Sequence, residues 1–252
     1  WTYHMSDLYE RLHEEFNEVR RLFAGLIGAD EDEVAIVDST GAGSNLAVEM
    51  IEPRRGGNVV FDEWSYPSSV YPWMLPPREH VERRWVMSRN GVIELDDMAE
   101  AIDADTLAVS ISHVTQGEGF RQDLGAVSRL AHEHGALLLV DAAQSAGAVR
   151  IDVHAQGVDF LATGACKWLL GAAGVGFFYA AGRHLDRMPP HAGPPGADNT
   201  FESPSTKPFV PKPGADRFHL GMPSLLGLAA TRPGLDIRTA VGMDTVEGHV
   251  LD

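Results

Sequence analysis

Leu137 to Gly176 reads LLLVDAAQSAGAVRIDVHAQGVDFLATGACKWLLGAAGVG, and its two apolar runs decide the fold. The first run, Ala136 to Val140, ends on a carboxylate, Asp141. The second, Val158 to Ala162, stops before Thr163-Gly-Ala-Cys-Lys167. Runs this short, flanked by glycine, favour buried parallel strands over a helix. In an open α/β sheet, chemistry gathers just past the carboxyl ends of the strands. Asp141 and Lys167 are therefore expected there, on neighbouring strands.

A lysine at the end of a buried strand is costly unless it is paired, neutralised or covalently bonded. Schiff-base formation is the chemistry that uses such an amine. Pyridoxal phosphate is the cofactor that uses an amine and a carboxylate together. The lysine forms the imine, and the aspartate keeps the ring nitrogen protonated so that the ring can withdraw electrons. The pair alone is equally consistent with a snorkelling Lys167 and a capping Asp141.

Working outward, the 252 residues suffice for one large α/β domain with a substantial core. A net charge of −16 argues against a nucleic-acid or anionic-membrane surface. One cysteine excludes a disulfide framework and suits a reducing, cytoplasmic setting. No apolar run approaches membrane-spanning length, and no secretory signal opens the chain. It begins in mid-pattern at Trp1-Thr-Tyr-His without an initiator Met, and Glu247 to Asp252 carries no stop signal. Further residues are expected beyond the start.

Upstream, Leu8, Leu12, Phe16, Val19, Phe23 and Ile27 recur at helical spacing, predicting an amphipathic helix over 7–27 with Ser6 or Asp7 as its cap. Val34 to Val37 is a strand candidate, followed by Asp38-Ser-Thr-Gly-Ala-Gly-Ser-Asn45 and a helix from Asn45 to Ile51. Strand, glycine-rich turn and helix start together make the geometry that binds phosphate through backbone N–H groups. An uncommitted turn has the same sequence, and neither a Walker loop nor a full dinucleotide fingerprint is present. Asn58 to Asp62 is the next strand and leads into the aromatic segment Glu63-Trp-Ser-Tyr-Pro-Ser-Ser-Val-Tyr-Pro-Trp73. One of those rings could stack on a flat cofactor, or all could be core. Strands are further expected at 82–87 and 107–112, and helices at 95–102 and 123–134, the last capped by Asp123 and stopped by Gly135. Elements alternate to residue 180, as in an α/β domain. Met188 to Pro213, rich in Pro, Gly and Ser, predicts a long functional loop, after which a helical pattern resumes from Arg217. The 11 histidines show no metal-ligand spacing, and solvated or structural roles are expected for them.

Order and spacing of VDAAQSAGAVRIDVHAQGVDF and ATGACKWLLGAAGVGFFY resemble the class V aminotransferase branch of the fold-type-I pyridoxal-phosphate enzymes, which includes cysteine desulfurases, isopenicillin N epimerase and kynureninase. The resemblance runs from about residue 7 to about residue 230. It implies a mostly parallel seven-stranded-type sheet flanked by helices, with the family's small C-terminal domain largely absent from this chain. Three regions are implied: an N-terminal helical segment over 1–30, the large cofactor-binding α/β domain over 31–230, and the start of an incomplete C-terminal region over 231–252.

The resemblance also assigns roles. Lys167 is the internal aldimine lysine and proton shuttle at the substrate α-carbon, and Asp141 is its catalytic partner at the pyridinium nitrogen. Gln144 falls near the ring hydroxyl and phosphate. Gly41, Ala42 and Gly43 fall in the phosphate turn, with Thr163 beside the cofactor. Tyr66 matches the stacking aromatic of kynureninase-like members, and Gln116 fills the place of a polar residue near the ring oxygen. Arg217 to Pro223 resembles a segment that approaches the partner subunit's site in relatives, implying a homodimer.

Departures from the family pattern shape the functional expectation. Cys166 stands where relatives usually carry His or Tyr; it either replaces a phosphate contact or is a small buried apolar residue. No cysteine follows Cys166, whereas the catalytic cysteine of desulfurases lies in a later loop, which argues against a cysteine desulfurase. Neither Arg217 nor Arg232 can be promoted to a substrate-carboxylate ligand. The resemblance thus implies an enzyme acting on an amino-acid substrate through an external aldimine, kynureninase-like or another Cβ-bond-cleaving lyase or hydrolase. A class V aminotransferase or epimerase, or a non-catalytic relative, are the alternatives.

Overall fold

The computed structural model describes residues 5–51, 57–76, 78–200 and 207–252, with side chains from residue 10 onward. The helix begins at Met5, so Ser6 and Asp7, expected as its cap, lie inside its first turn; the side chain of Leu8 and positions 201–206 of the long loop lie outside the described residues.

Helix α1 spans Met5–Ile27, and its face of Leu12, Val19, Phe23 and Ile27 is buried. Strand β1 (Val34–Val37) then leads into α2 (Thr40–Ile51). Next come β2 (Asn58–Asp62), the single helical turn α3 (Pro67–Val70), β3 (Glu82–Val86) and α4 (Leu95–Ala101). Strand β4 (Thr106–Ser112), α5 (Leu124–Glu133) and β5 (Leu137–Asp141) follow. Strands β6 (Phe160–Gly164) and β7 (Gly176–Ala180) complete the sheet, before α6 (Leu225–Val241) and α7 (Met243–Leu251). Asp123 caps α5 by accepting the Ala126 N–H at 2.9 Å, as its sequence position predicts.

The seven strands form one sheet in the order β1-β7-β6-β5-β4-β2-β3. All pairings are parallel except those of β7, which runs against both β6 and β1. The link between β6 and β7 contains no crossover helix, so the chain can only return antiparallel. Alternate strand residues face two cores. Val60, Ile111, Val140, Leu161 and Phe177 pack towards α1, α5 and α6, where Phe23 stacks on Phe177 at 4.0 Å. Val59, Phe61, Leu139, Phe160 and Phe178 pack towards α2 and Trp73. Burial on both faces explains why these strands read as near-continuous apolar runs.

Three local expectations are corrected. Helix α2 begins at Thr40 rather than Asn45, because the Ser39 hydroxyl accepts the Ala42 N–H at 3.1 Å and so caps the first turn early. Strand β6 is displaced two residues toward the C-terminus relative to the apolar run. After the loop, the segment 214–218 is a 3-10 turn, and α6 starts only at Leu225, capped by Ser224. Between them, His219 Nε2 accepts the Ile36 N–H at 3.1 Å, covering part of the exposed edge of β1. Burial holds that imidazole down at about 4, so it is the neutral acceptor this bond requires.

Candidate active site

The parallel pairing of β5 with β6 sets Asp141 beside Ala162, and both strands end at the same edge of the sheet. Asp141 lies on the same face as Leu139, towards α2 and α3. It is 4% exposed. Its carboxylate accepts the Ser68 hydroxyl at 2.5 Å, the Ser69 hydroxyl at 3.5 Å and the Ala143 N–H at 2.9 Å. All three donors are neutral. Burial therefore wins, and the carboxyl is raised above the usual carboxylate range despite these bonds and the attraction of Lys167.

Lys167 sits in the turn after β6, with its Nζ 5.5 Å from the centre of the Tyr66 ring. It is exposed rather than buried, a correction to the sequence-based expectation. The strand stops at Gly164, and the following turn lifts the side chain over the end of the sheet into a cleft of 130 Å³. That cleft is walled by Asp38, Ser39 and Thr40 from the start of α2 and by Gly164 and Gly174. Cys166 also lines it and is exposed, so it is not the small buried residue considered from sequence.

The remaining sequence-derived candidates divide. Tyr66, at the N-terminus of α3, belongs to the group around Lys167. Gln144 approaches it through Trp168, whose indole N–H donates to Gln144 Oε1 at 3.1 Å. Gly41, Ala42 and Gly43 lie within the first turn of α2 rather than in a loop. Gly43 is a packing glycine: a Cβ there would stand 2.8 Å from the Ala162 Cβ. Ala42 faces a second cavity, of 450 Å³, which adjoins the first through Asp38, Gly174 and Val175. The Thr163 hydroxyl is buried and turned to the carbonyls of Ala142 and Gly164 at 3.4 and 3.3 Å. Gln116 is exposed in the segment after β4, and among the described residues no hydrogen bond joins it to the others named here. Arg217 spends its guanidinium on the carbonyls of Lys212, Gly214 and Arg187, and Arg232 pairs with Glu15 at 2.9 Å.

Sequence reasoning missed Ser68 and Ser69, which hold Asp141, because nothing in their spacing distinguishes them from other turn serines. Ser39 and Thr40 carried a usable signal, since Ser and Thr just before a helix are capping residues whose neighbouring N–H groups face outward.

The donor set fits a pyridine ring bearing a phosphate. A buried carboxylate with only neutral donors is completed by a cationic N–H, the Lys167 amine is near enough to attract that carboxylate, and the Tyr66 ring lies beside the amine. The 12-residue helix α2 begins at Thr40, which lines the cleft, so the positive end of its dipole faces the place an anion would take.

Comparison with known proteins agrees. The family model for aminotransferase class-V matches residues 2–251. An uncharacterized aminotransferase of Bacillus subtilis is 32% identical over 92% of this chain and 60% of its own length. A probable cysteine desulfurase of Methanothermobacter thermautotrophicus is 29% identical over 95% of this chain and 59% of its own length. Among solved structures, the cysteine desulfurase of Thermococcus onnurineus superposes with a TM-score of 0.83 at 23% identity, covering 95% of this chain and 60% of that one. That likeness establishes the shared fold. The chain thus spans about 60% of the length of the curated relatives it matches.

Proposed function

This chain belongs to the class-V aminotransferase family of pyridoxal-phosphate enzymes, and on that premise we propose that it cleaves a bond at the β-carbon of an amino-acid substrate, with Lys167 and Asp141 as its catalytic pair. The cofactor, pyridoxal phosphate, supplies the electron sink for bonds at the substrate α-carbon. The residues around it bind, orient and move protons. Asp141, desolvated and held by Ser68 and Ala143, would keep a proton on the ring nitrogen. Lys167, in its exposed turn, has the freedom to bind the aldehyde carbon and then carry a proton to and from the substrate α-carbon. Tyr66 would cover one face of the ring, and Ser39 and Thr40 at the start of α2 would meet the phosphate.

The observation that carries this reading is the state of Asp141: nine-tenths or more buried, raised in pKa, and, among the described residues, hydrogen-bonded by neutral donors only. Support for β-carbon chemistry comes from the relatives named cysteine desulfurases, a name that denotes removal of sulfur from cysteine. The missing cysteine after Cys166 carries no weight against sulfur chemistry, because these relatives extend well beyond the matched residues. Kynureninase-like cleavage of a carbon–carbon bond remains within the same proposal. A second reading, transamination, is favoured by the Bacillus subtilis relative. We further infer a homodimer, since Leu220 and Met222, both about half exposed, border the second cavity beside the cleft.

The test is to load the protein with pyridoxal phosphate and add candidate amino acids, cysteine and kynurenine first. Release of a β-fragment with return of the starting spectrum supports the lyase. Conversion to the pyridoxamine form supports transamination and defeats it.

A further inference from the structure

We propose that one face of α6 fixes the base from which the Lys167 amine reaches into the cleft, with Arg238 as the positioning residue. This rests on the pyridoxal-phosphate reading of the cleft. Lys167 lies beyond the end of β6 at Gly164, so the sheet does not hold its backbone. A tight turn does. The Leu170 N–H closes on the Lys167 carbonyl at 3.1 Å, and the Gly171 N–H on that of Ala165 at 2.8 Å. Leu170 takes a left-handed φ of 58°, rare for a non-glycine residue and kept only where surrounding contacts over-determine it.

Helix α6 supplies those contacts. Thr231, Gly234 and Arg238 are spaced by three and four positions, so they share one side of the helix. Thr231 Oγ1 accepts the Ala172 N–H at 3.1 Å and donates its own proton to the Gly227 carbonyl at 2.8 Å. At Gly234 the turn comes so near that a Cβ would stand 2.2 Å from the Leu169 carbonyl oxygen and 2.9 Å from that of Leu170. Arg238 donates from Nε to the carbonyl of Trp168, the residue next to the lysine, at 3.0 Å. Gly147, in the turn after β5, packs on that same carbonyl, where a Cβ would lie 2.6 Å from its oxygen. The Thr231 and Gly234 contacts are buried, whereas Arg238 is half-buried and, among the described residues, makes this hydrogen bond and no ion pair. Its removal deletes one restraint on the turn and leaves the packing in place.

The consequence is confined to one step. A lysine captures an aldehyde when its neutral amine adds to the carbonyl carbon, after which the C=N bond forms and water leaves. The Lys167 side chain is free to swing, but its reach is measured from its backbone. A fixed turn narrows the positions that Nζ must search and so favours this covalent step. It does nothing for the non-covalent grip on a ring and its phosphate. Arg238 therefore acts on capture of the aldehyde and not on recognition of the cofactor.

The experiment compares two probes on the full chain. Pyridoxal phosphate can bond to Lys167; pyridoxamine phosphate has the same ring and phosphate but no aldehyde. Arg238→Met keeps the aliphatic stem and removes the donor. It is expected to raise the Kd for pyridoxal phosphate by about tenfold, the scale of one hydrogen bond from a charged group, and to leave that for pyridoxamine phosphate within about twofold of wild type. Arg238→Lys keeps a donor and should restore the wild-type ratio of the two affinities. Thr231→Val, a second variant on the same helix face, should move the ratio in the same direction as Arg238→Met. In the cofactor-free protein, hydrogen exchange at the Leu170 and Gly171 amides should quicken in Arg238→Met. An Arg238→Met protein that weakens both probes equally, or neither, overturns the proposal and leaves the cofactor reading intact. A wild-type protein in which borohydride fixes no pyridoxal phosphate on Lys167 overturns both.

Discussion

The Lys167 amine lies 5.5 Å from the centre of the Tyr66 ring, although 101 positions separate them and neither belongs to a strand. The contact joins the turn after β6 to the start of α3 through one cation and one ring. Loss of the ring should weaken cofactor binding without unfolding the protein, since Tyr66 is 43% exposed. Tyr66→Ala is expected to raise the Kd for pyridoxal phosphate by up to about tenfold, and Tyr66→Phe to leave it nearly unchanged. Fluorescence titration measures both.

Lys167 makes no packing contribution to the core, and its replacement isolates chemistry from stability. Lys167→Ala should unfold within about 0.5 kcal/mol of the wild type. The same variant should lose all cofactor that borohydride fixes covalently, read as an added mass on the protein. Cofactor still fixed at full stoichiometry in Lys167→Ala would show that another amine holds it.

Asp159 anchors the opposite end of β6. It is fully buried and accepts from His132 at 2.7 Å, His184 at 2.6 Å, Arg183 at 3.1 Å and the Leu138 N–H at 2.8 Å. Burial alone would raise this carboxyl; the bonds from His184, His132 and Leu138 and the Arg183 charge outweigh it and hold it at about 2. A depressed folded-state pKa gives stability that is fully present above the unfolded value near 4 and is lost as pH falls towards about 2. Asp159→Ala is expected to cost about 3–5 kcal/mol at pH 7 by stranding the Arg183 guanidinium and the buried donors that meet it. Urea unfolding at pH 7 and pH 3 checks this, and the difference between the proteins should shrink at the lower pH.

Asp62 has the opposite sign. Burial pushes it up to about 6, against the hydrogen bonds of the Trp64 N–H and Gln122 Nε2. The folded state binds the proton more tightly than the unfolded state, so stability falls as pH rises from about 4 through about 6. Asp62→Asn removes the charge and keeps an acceptor for Gln122. It should be stabilised relative to wild type at pH 8 by about 2 kcal/mol and by nearly nothing at pH 4. Thermal unfolding across that range reads the difference, and equal shifts at both pH values would contradict it.

Gly43 permits α2 to lie against β6. A Cβ at this position would stand 2.8 Å from that of Ala162, a separation real Cβ atoms do not adopt. Gly43→Val should destabilise the protein by about 1–3 kcal/mol through overpacking. Because the displaced helix carries Ser39 and Thr40 at its start, affinity for free phosphate or pyridoxal phosphate should fall in parallel. Unchanged affinity with lowered stability would separate the helix start from the phosphate site.

The strands were legible because burial on both faces forces continuous apolar runs, and those runs stop where the sheet stops. Asp141 was legible for the same reason: a carboxylate directly after LLLV has no plausible place other than a strand end. The early start of α2 was not legible, since Gly41 and Gly43 signal a turn by composition, and only the close approach to Ala162 shows Gly43 to be a packing residue. The direction of β7 was equally hidden, as nothing local to GFFYA encodes it.

The sequence by itself determined the α/β class, the strand positions to within about two residues, and the order in which a helix start, an aromatic, a carboxylate and a lysine appear along the chain. Local periodicity and chain order suffice for that. Only the tertiary structure decided that Ser68 and Ser69 hold Asp141, that the Trp168 indole donates to Gln144, and that Lys167 stands exposed over its cleft. Those relationships join residues far apart in the chain, and their geometry is set by how helices pack across the sheet, which no short-range pattern carries.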